Sequence, residues 1–166
     1  MDNLLHLLAR LCNKKKWQIA TAESCTGGLV AKLITDCAGS SSWFERGFVT
    51  YSNLAKEQML GIDRHLIDTY GAVSVPVAEA MASGVLMHSQ AQFSLAITGI
   101  AGPGGGSDSK PVGTVCFAWA FYEQPSSPKI QTRVNDCLFD GDRQSIRTQS
   151  AAFALQELYR LMTDQQ

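Results

Sequence analysis

Five short stretches rich in β-branched and aromatic residues, at 17–21, 44–51, 93–98, 113–121 and 130–134, are set among segments whose apolar residues recur at helical spacing. The order reads helix, strand, helix, strand, helices, strand, strand, strand, helix. Long crossovers between early strands and a hairpin near the end predict an α/β protein whose mixed sheet is sandwiched between helices. In open sheets of this kind ligands collect at the carboxyl ends of the strands, so the residues just past each strand end are the candidates for a site.

The first strand delivers the chain to Thr21-Ala22-Glu23-Ser24-Cys25-Thr26-Gly27-Gly28, and Leu29, Val30, Leu33 and Ile34 then recur as a helix face. The stretch reads as a strand-to-helix turn that puts Ser24, Cys25 and Thr26 at the start of a helix, where free N–H groups favour an anion. The second strand ends in Tyr51-Ser52-Asn53, either of the last two able to cap a helix through Leu60 closed by Gly61. Lys56 then falls in the first turn of that helix, the wrong end of the dipole for a cation, and its pKa should be pushed down. The third strand runs into Gly99-Ile100-Ala101-Gly102-Pro103-Gly104-Gly105-Gly106-Ser107, a density of glycine unsuited to a packed helix or strand. One cleft could hold all three segments.

The remaining chain reads as scaffold. Leu4, Leu5, Leu7, Leu8, Leu11 and Cys12 form the face of a first helix, with Asp2 or Asn3 as its cap and Lys14-Lys15-Lys16 at its end as a solvated terminus. Asp63–Tyr70 is a short helix, and Ser74 followed by Pro76 starts another that carries Val77, Met81 and Val85 inward. From Gly113 to Phe121 large side chains alternate with small ones, as in a strand covered on both faces. Pro125-Ser126-Ser127-Pro128 turns the chain into a strand nearer the edge. Asp140-Gly141-Asp142 opens a last helix with Ile146, Phe153, Ala154, Leu158, Leu161 and Met162 inward. Neither a repeat nor a linker interrupts residues 1–166, so a single domain is expected.

Composition removes several function classes. Fourteen basic against fifteen acidic residues leave no broad positive field for nucleic acid. Five cysteines without a C-x-x-C spacing, and three scattered histidines, favour reduced thiols over a disulfide framework or a zinc site. No apolar run approaches the roughly 20 residues that span a bilayer. The expectation is a soluble, cytoplasmic protein that engages neither membrane nor nucleic acid.

A serine needs a base, and with no histidine in a motif-like setting the base would be a lysine. Lys56 stands beside a strand end, Tyr51 could orient it or relay a proton, and Glu23 could hold either Lys56 or the helix start. The glycine loop is neither a Walker loop nor a dinucleotide fingerprint, although its N–H groups suit a phosphate. Arg143 sits at the start of the last helix, again the wrong end for a cation, which suggests an anionic partner.

The segments 21–28, Phe44-Glu-Arg-Gly-Phe-Val-Thr-Tyr-Ser-Asn53 with Lys56, Gly71-Ala-Val-Ser74, and Thr98-Gly-Ile-Ala-Gly-Pro103 followed by Lys110-Pro-Val-Gly-Thr114 together resemble the CinA C-terminal-domain family. The resemblance covers nearly the whole chain. It implies a three-layer α/β/α sandwich with a mixed, mostly parallel five-stranded sheet, commonly paired as a homodimer. It also implies hydrolysis of the carboxamide of nicotinamide mononucleotide to nicotinic acid mononucleotide and ammonia, in pyridine-nucleotide salvage. The family's catalytic serine, lysine and tyrosine fall on Ser24, Lys56 and Tyr51. Its substrate-binding segments fall on Thr26, Gly27 and Gly28, on Thr98, Gly99, Gly102, Gly104, Gly105 and Gly106, and on Arg143. Such acyl transfer asks for no metal and no cofactor, and N–H groups at Thr26–Gly28 or at Gly99 would hold the oxyanion. A non-catalytic nucleotide-binding module, and an amidase for another small carboxamide, are the alternatives.

Overall fold

The computed structural model describes residues 1–123 and 129–165; the turn expected at 125–128 lies outside them. Helix α1 (Asp2–Lys15) leads into β1 (Ile19–Glu23), α2 (Leu29–Thr35), a 3-10 turn (Ser40–Ser42) and β2 (Phe44–Val49). Helices α3 (Asn53–Leu60), α4 (Arg64–Tyr70) and α5 (Val75–Met87) come next, then β3 (Phe93–Gly99), β4 (Thr114–Tyr122), β5 (Ile130–Leu138) and α6 (Arg143–Asp164). The strand order is β2-β1-β3-β4-β5, with β1 parallel to both β2 and β3, and β4 antiparallel to β3 and β5. Every strand but β4 therefore points the same way. The carboxyl ends of β1, β2 and β3 come together on one side of the sheet.

Local chemistry sets the boundaries. Ser52, Asp63, Ser74 and Asp142 each cap a helix by accepting a backbone N–H, and Gly61 closes α3 in the left-handed conformation. Pro76 sits in the first turn of α5, where its missing N–H costs nothing. Helix α1 starts at Asp2 itself with Met1 as its cap, one position earlier than the sequence suggests, and β1 begins at Ile19 rather than Trp17.

The two faces of the sheet differ in kind. Ile19, Phe93, Leu95, Ile97, Val115, Phe117 and Trp119 pack against α1, α2 and α6. The opposite face is made of Ala20, Ala22, Ala96, Cys116, Ala118 and Ala120, and it meets α5 with α3 and α4 beyond it. The alternation of large and small residues along β4 is this asymmetry read in one dimension. Phe153, expected inward, is partly buried and sets its ring edge-on to Phe117, Trp119 and Phe139. Strand β5 is an edge, its middle open to solvent at Arg133, Val134, Asn135 and Asp136. Among the described residues no helix is long and apolar enough to cross a membrane.

Candidate active site

Ser24 stands one residue beyond β1. Its N–H donates to Ile97 O on β3 at 2.9 Å, and on the other side Thr50 N–H donates to Glu23 O at 2.9 Å. The serine is thus held at the line where three parallel strands end. Helix α3 brings Lys56 to the same place from below the small-residue face, its Nζ 3.2 Å from Ser24 Oγ and 2.9 Å from Thr50 O. Lys56 is only 1% exposed. Among the described residues no carboxylate pairs with it, so burial pushes its pKa below the ordinary 10.5, opposed only in part by Cys25. A buried amine without a counter-charge is costly and favours the neutral, proton-accepting form.

Around this pair lies a cavity of about 220 Å³ lined by Ser24, Cys25, Tyr51, Asn53, Lys56, Ala72, Val73, Thr98, Gly99, Ala101 and Arg143. A larger hollow of about 510 Å³ lies near Trp17, Phe93 and Phe121, but it brings no buried nucleophile and base together. Thr98 donates its hydroxyl to Ala72 O at 2.8 Å, and Lys110 Nζ donates to Tyr70 O and Val73 O at 3.0 and 2.7 Å. The 70–73 wall is therefore pinned from two sides. Tyr51 is 60% exposed at the mouth, and its hydroxyl accepts from Arg143 Nη2 at 3.0 Å rather than bonding Ser24 or Lys56. Arg143 Nη1 donates to Gly102 O at 2.7 Å, so this guanidinium bridges the loops after β2 and β3.

The segment 24–28 departs from expectation. Gly27 and Gly28 take positive φ values of 59° and 93°, which postpone the helix to Leu29; Ser24, Cys25 and Thr26 precede it as a turn. Of the N–H groups expected to be free at Thr26–Gly28, those of Gly27 and Gly28 are engaged. Gly27 N–H donates to Ser24 O, while those of Gly28, Val30 and Ala31 donate to the Glu23 carboxylate at 3.0, 3.0 and 2.8 Å. Of the two oxyanion locations, the one at 26–28 has both glycine N–H groups taken, whereas that of Gly99 is directed to the reacting side. Ile100 N–H donates to Thr114 O on β4, so the alternation of an antiparallel strand turns the preceding Gly99 N–H to the side where β1 ends at Ser24.

Thr26, Gly27, Gly28, Gly102, Gly104, Gly105 and Gly106 do not line the cavity. The loop has another reason for its glycines: a Cβ at Gly102 would lie 2.6 Å from Val112 Cγ1, and one at Gly106 would lie 2.8 Å from Val112 N. Close seating on the 111–112 segment requires them. Cys25 lines the cavity beside Ser24, yet burial pushes its thiol up to about 12, helped by Glu23 and offset in part by its own and Thr26's backbone N–H and by Arg147. It is a poor nucleophile at neutral pH. Sequence reasoning held Asn53 and Ala101 only as parts of their segments, and it passed over Ala72 and Val73 on the wall, Lys110 behind it, and Arg147, whose Nη2 donates to Thr26 O at 2.7 Å. Arg147 could have been found, since it lies one helical turn from Arg143 on the same face of α6. No group of three or more His, Cys, Asp or Glu side chains among the described residues is placed to hold a metal ion.

Residues 1–162 match the family defined by the CinA C-terminal domain. The chain belongs to that family. Over 142 residues it is 53% identical to the nicotinamide-nucleotide amidohydrolase PncC of Escherichia coli (strain K12), an alignment spanning 86% of this chain and 82% of that protein. Its fold is similar to the crystal structure of the competence damage-inducible protein A from Klebsiella pneumoniae subsp. pneumoniae MGH 78578. The TM-score there is 0.91 at 33% identity, covering 99% and 98% of the two chains. It is also similar to the competence/damage inducible protein CihA from Agrobacterium tumefaciens, with TM-score 0.84 at 42% identity over 95% and 94%. Other members of this family thus share the three-layer sandwich and its mixed five-stranded sheet.

Proposed function

We propose that this protein is a nicotinamide-nucleotide amidase that works through a Ser24–Lys56 acyl-enzyme and feeds pyridine-nucleotide salvage. The observation that carries the reading is the buried Lys56 Nζ, without a carboxylate partner among the described residues and 3.2 Å from Ser24 Oγ. The substrate is inferred from the likeness to PncC. Neutral Lys56 takes the Ser24 proton as Oγ bonds to the carboxamide carbon, and the carbonyl π electrons move to oxygen. Gly99 N–H supports that oxyanion, a donor worth ~3–4 kcal/mol when preorganised. The lysine proton passes to the departing nitrogen, the C–N bond breaks, and ammonia leaves. Water, deprotonated in turn by Lys56, then attacks the ester and frees Ser24 with the carboxylate product.

A cavity of about 220 Å³ suits the carboxamide-bearing ring, so the ribose phosphate would extend past Tyr51 towards Arg143. Arg143 supplies the positive charge for the phosphate, with Tyr51 as its neighbour at the mouth instead of a proton relay. Purified protein incubated with nicotinamide mononucleotide should release ammonia, and Ser24→Ala should abolish release while leaving the fold intact. Turnover compared across nicotinamide, its riboside and its mononucleotide should favour the mononucleotide. Equal turnover of all three would point to an amidase of broader range. Binding without ammonia release would indicate a nucleotide-binding module.

A further inference from the structure

Glu23 ends β1 with no exposed surface, and its carboxylate accepts three backbone N–H groups from the start of α2, with no cation paired to it among the described residues. A buried anion is tolerated when charge-assisted hydrogen bonds saturate it, as these do. Across the same turn, half-buried Arg147 gives Nη2 to Thr26 O at 2.7 Å and has no carboxylate partner among the described residues. An anion therefore grips residues 28, 30 and 31 while a cation grips residue 26, whose carbonyl also accepts the Leu29 N–H. The turn so held contains two glycines, Gly27 and Gly28, that would otherwise leave it pliable. Neither Glu23 nor Arg147 lines the cavity.

We propose that Glu23 and Arg147 are positioning residues for the acyl transfer. They lock the 24–28 turn so that Ser24 Oγ stays within reach of Lys56 Nζ and opposite Gly99 N–H. The proposal rests on the Ser24–Lys56 reading given above. A shift of about 1 Å in a reacting atom can cost about 100-fold in rate. Because neither side chain touches the cavity, the loss should fall on kcat and spare KM.

The test measures steady-state ammonia release from nicotinamide mononucleotide by Glu23→Gln, Arg147→Met and Arg147→Lys, with Ser24→Ala alongside and circular dichroism to confirm folding. Glu23→Gln should lower kcat by about tenfold or more with KM within about threefold. Arg147→Met should do the same, and Arg147→Lys, which keeps an N–H donor for Thr26 O, should recover much of the loss. A folded Glu23→Gln with kcat within about fivefold of wild type, or with its loss confined to KM, overturns the proposal. Should Glu23→Gln fail to fold, the Arg147 pair decides: equal activity of the Met and Lys variants overturns it. If Ser24→Ala itself keeps the wild-type rate, the acyl-enzyme reading falls first. A silent Ser24→Ala with fully active Glu23→Gln and Arg147→Met removes only the positioning role.

Discussion

Lys56→Arg separates proton transfer from charge at the floor of the cavity. A guanidinium stays protonated throughout the usable pH range, so the variant keeps a cation and loses a base; Lys56→Met keeps the stem and loses both. The wild-type Nζ has two acceptors, Thr50 O at 2.9 Å and Ser24 Oγ at 3.2 Å, on a side chain 1% exposed. No other titratable side chain hydrogen-bonds Ser24 Oγ among the described residues. Losing a general base costs about 100- to 10,000-fold in rate, or about 3–5 kcal/mol of transition-state stabilisation, and both variants should fall by that much.

The measurement is kcat/KM for ammonia release across neutral to alkaline pH. In the wild type it should climb as Lys56 loses its proton, with a midpoint below 10.5 because burial lowers the amine's pKa. Both variants should lack that limb. Stability carries the same sign: between the lowered folded value and 10.5 the unfolded chain binds more protons. Wild-type stability should therefore rise with pH through that window, and that of Lys56→Met should not. Arginine within about tenfold of the wild-type rate, or an intact alkaline limb in Lys56→Met, would refute the assignment of Lys56 as base.

Two further outcomes are expected. A Cβ at Gly84 on α5 would lie 2.6 Å from Leu60 O on α3, so Gly84→Ala should destabilise the fold by about 1–3 kcal/mol by overpacking. Because α3 carries Lys56, deamidation should fall along with the melting temperature, and an unchanged melting temperature would show that the two helices can part without cost. Cys25→Ala should keep deamidation within a few-fold, and thiol reagents should act slowly on Cys25 at neutral pH, since its thiol sits at about 12. A loss as deep as that of Ser24→Ala would move the nucleophile to sulfur.

The element order, the caps at Ser52 and Ser74 and the edge position of β5 were all legible, because each rests on chemistry local to a few residues. So was the approach of Lys56 to Ser24: a cation at the wrong end of a helix is visible in a string of letters. The use of the turn's N–H groups was not. Whether Gly28 N–H faces a ligand or the Glu23 carboxylate depends on where the chain points after two glycines with positive φ, and spacing carries no trace of that. Gly102 and Gly106 mislead for a similar reason, since close contact with Val112 and close contact with a phosphate demand the same residue. Tyr51, beside the same strand end as Lys56, was expected to orient the amine or relay a proton, whereas its bond to Arg143 joins residues 92 positions apart.

The alanine face of the sheet bears on how steadily the base is held. Ala20, Ala22, Ala96, Ala118 and Ala120 have no rotamers to exchange, so α5 resting on them finds one seat rather than several. Helix α3 leans on α5 where Gly84 meets Leu60, and Lys56 leans on α3. The distance between a serine and a lysine 32 residues apart is thereby set by a pavement of methyl groups.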